Sequence, residues 1–264
     1  MAARDTNSWE TAIAKIEPHD VIIRGERMSE LIGNASFAEV AYLILSGKRA
    51  TKGQARVLEA LLVSVMDHSI APSSTVARLL ASYGVPLQAA IAGGALTFGD
   101  IQGGAGQELA RNLSAIVQRV AAEGDVTDET LRNAAKELVA DSRARRAPLD
   151  GFGHPQHDPD FRTPILLELA KKEGVFSHHS ALLSYLEDAL AEAIGRRVGA
   201  NIDGASAALL LDLGLKPDVA RALIVTPRTV GLAAHYLEEI EQGNTWRHVP
   251  AAQVTYTGAL PEGS

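Results

Sequence analysis

The stretch from Gly151 to Arg162 (GFGHPQHDPDFR) gathers glycines, prolines, histidines, aspartates and an arginine within one loop length. Glycines on either side of Phe152 permit positive φ and a sharp turn that presents His154. Arg162 can clamp a carboxylate through two parallel hydrogen bonds, and His154 can donate or accept a proton near neutrality. The set suits an anionic, oxygenated ligand; its bland counterpart is an ordinary polar surface loop. His154, His157 and Asp158 could also converge on a metal. No second His/Asp/Glu group at ligand spacing accompanies them, so no metal is expected.

Four other places carry candidate chemistry. Asp67-His68 follows a helical pattern and precedes Pro72, where His68 either caps a helix C-terminus or binds an anion. Asp203, in Asn201-Ile202-Asp203-Gly204, reads both as an N-cap and as a carboxylate held at a helix start, usable as a base. Gly103-Gly104 in GDIQGGAG resembles a phosphate cradle only weakly, since no Walker lysine accompanies it. Arg228 follows Pro227 inside a helical pattern, aimed inward at an anion or exposed at a kink. His178-His179 reads as a solvated helix start.

The elements that must position these residues are helices. Val57, Leu58, Leu61, Leu62, Val65 and Met66 form one apolar stripe. Ser36 and Glu39 form a capping box, and Thr127 opens another helix. Leu182 to Val198 and Val219 to Ile240 are long helical patterns, and Arg143 to Arg146 suits a last turn. Only Asp20 to Ile23 and Gln253 to Thr257 look extended. The expected fold is all-α, with roughly ten helices. Pro86 to Phe98 is apolar all round, and is expected to be a central or subunit-interface helix.

Bulk properties narrow the function. The chain has 264 residues, 46% hydrophobic and 22% charged, enough for a sizeable core. A net charge of −7 argues against nucleic acid as a partner. The absence of cysteine excludes disulfides, thiolate metal sites and cysteine nucleophiles. Met1 to Glu10 does not read as a signal peptide, and no apolar run is long enough to span a bilayer. A soluble, cytoplasmic protein is expected.

The order of these motifs resembles citrate synthase and its relatives from about Asp20 to Gly258. Arg24-Gly25 followed by Ala35 to Leu43 resembles the family's opening, "RG…ASFEEVAYLLL". Asp67-His68 matches its aspartate–histidine pair, and Gly99 to Gly106 its "HGGA" loop. Gly151 to His154 matches "GFGH", Arg162 the following "DPR", and Asn201 to Asp203 "NVD". Pro227 to His235 matches "GRTVGWIAH". The resemblance implies a citrate-synthase-like fold shortened at the N-terminus. Its large domain would take approximately 20–145 and 215–264, its small domain approximately 150–214, within a single 1–264 unit.

Roles follow from the resemblance. Asp203 would exchange the proton on the thioester's methyl carbon, and His154 would bind the oxygen that is ketone in the 2-oxo acid. His68, Arg162 and Arg228 would hold carboxylates. The backbone of Gly151, Phe152 and Gly153 would face coenzyme A, which enters as a thioester substrate; no permanently bound cofactor is implied. Where synthases carry histidine before Gly-Gly stands Gln102, whose amide donates a hydrogen bond but cannot titrate. The family's arginine before "YTG" is replaced around Ala251 to Gln253. Both departures are similar to the citryl-CoA lyases and the lyase domain of ATP-citrate lyase, with "RHPW…SY" echoed by Arg247 to Pro250 and Tyr256. The expected function is cleavage of citryl-CoA or citramalyl-CoA by a homodimer. The alternatives are a condensing synthase relative, a silent subunit that binds CoA esters and, more distantly, a metal hydrolase.

Overall fold

The computed structural model describes residues 9–261. They form two compact units: residues up to Met66 with Gly99–Pro227, and Asp67–Phe98 with the chain from Arg228 onward. Among the described residues there are eleven α-helices, and the only sheet is a small three-stranded one. None of these helices is long and apolar enough to cross a membrane.

The first unit opens with an antiparallel meander, β1 (Ala14–Glu17), β2 (Asp20–Ile23) and β3 (Glu26–Arg27). β2 is the strand expected at Asp20; β1 alternates over only four, mostly exposed residues, and β3 has two residues, too few to show a pattern. The β2–β3 turn has φ of 49° at Arg24 and 91° at Gly25, the two left-handed residues of a type I′ hairpin. Arg24 then donates through Nε and one amino nitrogen to the Ile44 carbonyl, at 3.2 and 3.1 Å. Ile44 lies in the last turn of α2 (Phe37–Ser46), where carbonyls lack helical partners and cations are favoured. The Arg-Gly pair therefore makes a turn and caps a helix at once. Two short connecting elements complete this region: α1 (Met28–Leu31), and the Ser36–Glu39 capping box, with both of its hydrogen bonds made.

The core of this unit is α10 (Ile202–Asp212), where Ala205, Ala207, Ala208, Leu209 and Leu210 have no exposed surface. Small residues on several faces let α6 (Ala105–Glu123), α8 (Arg162–Lys172) and α9 (His178–Ile194) close around it. α7 (Asp128–Arg145) packs on α9, and α3 (Lys52–Ser64) supplies Leu58 and Leu61. The Tyr42 hydroxyl ties α2 to the end of α10 by donating to the Leu213 carbonyl at 2.8 Å.

The second unit contains α4 (Pro72–Ser82), α5 (Leu87–Ala95) and the part of α11 (Ala220–Glu241) beyond Pro227. α5 is the apolar helix expected to be central or at a subunit interface, and its burial speaks against the first of these only. In this chain it buries one side only, with Ala90 and Gly94 inside and Leu87, Ala89 and Ala92 exposed. The helix buried on nearly every side is α10. Gln253 to Thr257 is not a strand: a single 3-10 turn covers Ala251–Gln253, and Val254 and Tyr256 are exposed.

Leu210→Ala should lower the unfolding free energy by about 2–5 kcal/mol, because the close-packed neighbours of α10 cannot collapse into the space. Urea denaturation followed by circular dichroism would check it; a loss below 1 kcal/mol would mean that α10 is not the packed centre.

Candidate functional site

The loop that carries His154 and the helix start that carries Asp203 are joined through backbone in the first unit. Asn201 N–H donates to the Gly151 carbonyl at 2.9 Å, and Gly153 N–H donates to the Gly199 carbonyl at 2.9 Å. Phe152 and Ala200 form an antiparallel bridge between these bonds. Asn201 Nδ2 closes the join by donating to the Gly153 carbonyl at 2.6 Å. Its Oδ1 accepts from the N–H groups of Asp203 (2.9 Å) and Gly204 (3.1 Å), so Asn201 is the N-cap of α10. The capping role considered for Asp203 thus belongs to its neighbour, and Asp203 stands half-buried in the first turn.

Glycine is required at both sides of this join. A Cβ on Gly204 would sit 2.5 Å from the Gly151 carbonyl oxygen, and one on Gly151 would lie 2.9 Å from the Gly204 Cα. Gly151 and Gly153 also have φ of 82° and 70°, the left-handed region expected for a turn around Phe152. A second loop joins at the same helix start, because a Cβ on Gly106 would lie 3.3 Å from the Asp203 carbonyl oxygen. Gln102, half-buried, belongs to this loop, which Gly99 N–H closes by donating to the Gln102 carbonyl at 3.0 Å. An Asp100–Arg221 ion pair fastens its outer edge. Two loops and a helix start far apart in sequence, bearing Gln102, His154 and Asp203, therefore meet in one frame.

His154 has a defined tautomer. Its Nδ1 accepts from the N–H groups of Gln156 and His157, each at 3.1 Å, so that nitrogen carries no proton. The neutral ring then bears its hydrogen on Nε2 and is a donor there. The His157 ring stacks on it with centroids 4.7 Å apart, and Phe161 meets His157 edge-on.

Arg162 is buried, and its carboxylate partner is internal. Its Nε and one amino nitrogen reach the two oxygens of Asp160 at 2.9 and 2.8 Å. Asp160 also accepts from Ile202 N–H at 2.9 Å, which ties the start of α8 to the start of α10. Burial pushes the Asp160 carboxyl upward. The Arg162 hydrogen bonds and charge, with the Ile202 N–H, outweigh that and hold it below the ordinary carboxylate range.

The other two expected residues belong to the second unit. His68 lies in the turn before α4, not in the last turn of α3. Arg228 is buried and so points inward rather than out at a kink; one amino nitrogen lies 3.5 Å from the Ser73 hydroxyl, and the guanidinium lies 5.6 Å from the Phe98 ring centroid. Sequence reasoning assigned no role to Asn201 or Asp160. An Asn directly before a buried helix was a readable N-cap signal, whereas the pairing of Asp160 with Arg162 follows no spacing rule.

A family model described as "Citrate synthase, C-terminal domain" matches residues 48–249. Among curated proteins, the glyoxysomal citrate synthase of Cucurbita maxima is 26% identical over 89% of this chain and 50% of its own length. The citrate synthase of Heyndrickxia coagulans is 25% identical over 90% and 60%. The chain thus spans 50–60% of the length of these two relatives. Among solved structures, citryl-CoA lyase from Hydrogenobacter thermophilus superposes with a TM-score of 0.85 at 32% identity, covering 96% of both chains. The ATP citrate lyase of Methanothrix soehngenii, solved with citrate and coenzyme A, gives a TM-score of 0.80 at 21% identity over 99% of this chain and 43% of that one. At that identity the likeness speaks for the fold alone.

Gly204→Ala should destabilise the protein by about 1–3 kcal/mol, since backbone must shift to admit the methyl group; an unchanged urea midpoint would refute the close approach. A second expectation concerns acid. Because the folded-state pKa of Asp160 is depressed, its contribution is present above the unfolded value, near 3.9, and is lost as pH falls through the lower folded value. Urea midpoints measured downward from about pH 4 should fall less steeply in Asp160→Asn than in wild type; identical slopes would count against the pairing.

Proposed function

The chain belongs to the citrate synthase family, and we propose that within it this protein is a carbon–carbon lyase that splits citryl-CoA or citramalyl-CoA into acetyl-CoA and a 2-oxo acid. One observation carries the reading. The H. thermophilus citryl-CoA lyase superposes on the chain with a TM-score of 0.85 at 32% identity, whereas the two curated synthases are 26% and 25% identical to it. Gln102, standing where synthases carry a histidine, supports the same direction.

In the proposed reaction the hydroxyl of the adduct loses its proton as the bond between its carbon and the thioester α-carbon breaks. The bonding electrons pass to the α-carbon as a thioester enolate, which takes a proton there to give acetyl-CoA. No water is consumed. His154 Nε2–H donates to the oxygen that turns from hydroxyl to ketone, and the fixed tautomer has that donor ready in advance. Asp203, as a carboxylate, takes the hydroxyl proton and delivers it to the α-carbon, so the proton that leaves the oxygen is the one that acetyl-CoA gains. The Gln102 amide donates to the enolate oxygen without acid–base work of its own.

For His68, Arg162 and Arg228 the proposed role is to hold carboxylates. Asp160 occupies the Nε edge of Arg162 and so sets the direction of its fork. The Gly151–Gly153 backbone is the proposed coenzyme A contact. The working assembly is proposed to be a homodimer.

The test is incubation of the purified chain with citryl-CoA and, separately, citramalyl-CoA, following release of acetyl-CoA. At least one should be cleaved, and Asp203→Asn should cut kcat by about 10²–10⁴-fold. Formation of free citrate from acetyl-CoA and oxaloacetate would instead favour a synthase, because that product requires thioester hydrolysis. Inertness in both directions would sink the lyase reading.

A further inference from the structure

We infer that His235 is a positioning residue for His68: it grips Asp67 and thereby fixes the turn on which His68 is presented. The inference rests on the carboxylate-binding role proposed for His68. All the residues concerned lie in the second unit.

His235 projects from α11, and its Nε2 lies 3.1 and 3.2 Å from the two oxygens of Asp67. Its other ring nitrogen, Nδ1, lies 3.4 Å from an amino nitrogen of Arg78. A guanidinium has only donors, so Nδ1 must accept, and the ring hydrogen sits on Nε2, aimed at Asp67. Asp67 in turn accepts from the backbone N–H of His68 at 2.8 Å. The polarity therefore runs in one direction, from Arg78 through His235 to Asp67, where His68 N–H also donates.

The upstream end of this chain cannot drift. Arg78, on α4, is buried, and its Nε lies 2.6 Å from Glu239, a carboxylate with no exposed surface. Arg78 also pairs with Glu238, and its second amino nitrogen donates to Gln242 at 2.7 Å. Arg247 closes on the far side of Glu239. A buried carboxylate gripped by two arginines makes a rigid base, because breaking it would leave charge uncompensated.

The turn is pinned again beyond His68. The buried Ser74 hydroxyl donates to the Ser69 carbonyl at 2.6 Å and accepts from Ala71 N–H at 2.8 Å. Ser69 itself takes φ of 55°, a left-handed conformation that a non-glycine residue holds only when its surroundings impose it. His68 lies between the two pins. Releasing Asp67 removes the pin before His68 and leaves the Ser74 pin beyond it.

The experiment compares three variants of the full chain. His235→Leu keeps bulk and removes the donor; His235→Gln keeps an N–H donor; Asp67→Asn removes the acceptor charge at a position exposed enough for the protein to fold. The readouts are kcat and KM for the cleaved thioester, and the imidazole resonances of His68 in histidine-labelled protein, assigned by His68→Gln. His235→Leu and Asp67→Asn should each raise KM about tenfold or more, with a smaller change in kcat and a displaced His68 resonance. Their double variant should be no worse than the worse single one, and His235→Gln should restore most of the loss. Should His235→Leu fail to fold, Asp67→Asn carries the same expectations. Wild-type KM and an unmoved His68 resonance in folded His235→Leu or Asp67→Asn would overturn the inference, as would additive effects in the double variant. If neither thioester is cleaved by the wild type, a displaced His68 resonance still upholds the positioning while the lyase reading falls.

Discussion

Two glycine backbones in contact, Gly151 against Gly204, are the constraint on which the candidate site depends. Every other feature of the first unit's site follows from how closely these segments meet. Because neither has a side chain in the way, the main chain of the His154 loop pairs directly with residues 199–201. Asn201 then spends its oxygen on the helix and its nitrogen on the loop. A join made of backbone has few rotatable bonds, so the segments that carry His154 and Asp203 are fixed relative to each other without any contact between those two side chains being required.

Charge is organised around the same join. Asp160 is buried, yet stays ionised because it faces a guanidinium and a helix-start N–H. A lone carboxylate in that position would be costly; this one is compensated by Arg162 and ties the start of α8 to the start of α10. The second unit shows a similar arrangement, with Glu239 between Arg78 and Arg247. In the first unit the arginine is itself a residue proposed to touch substrate; in the second, Arg78 connects through His235 and Asp67 to the turn that carries His68.

The helices and the polar loops were open to sequence reading because both follow local rules. Periodicity marked α3, α9 and α11, while Ser36-Glu39 and Thr127 marked helix starts with side chains that cap them in the structure. Burial was harder to read. α5 and α10 are both apolar on most faces, and only the helices packed on α10 decide that it is the interior one. The strands β1 and β3 were missed because so short a hairpin is held by backbone bonds and turn geometry, with almost no buried side chains to leave a pattern. At the site, His154 and Asp203 were visible as residue types in polar loops, and Gln102 only through the resemblance to citrate synthases. The direction of Arg162 toward Asp160 was not, since a flexible side chain can reach several partners and sequence does not choose among them.

The hydrogen bond from Ile202 N–H to Asp160 also bears on how the protein ages. Spontaneous deamidation of an asparagine begins when the next residue's backbone nitrogen attacks the side-chain carbonyl carbon, closing a five-membered imide. At Asn201 that nitrogen belongs to Ile202, and it is occupied by Asp160 and crowded by a β-branched side chain. Both ends of the Asn201 amide are held as well. The arrangement that places the helix start therefore also shields its capping residue from conversion to aspartate, which would set a negative oxygen against the Gly153 carbonyl. Chemical durability at this position comes from the fold itself.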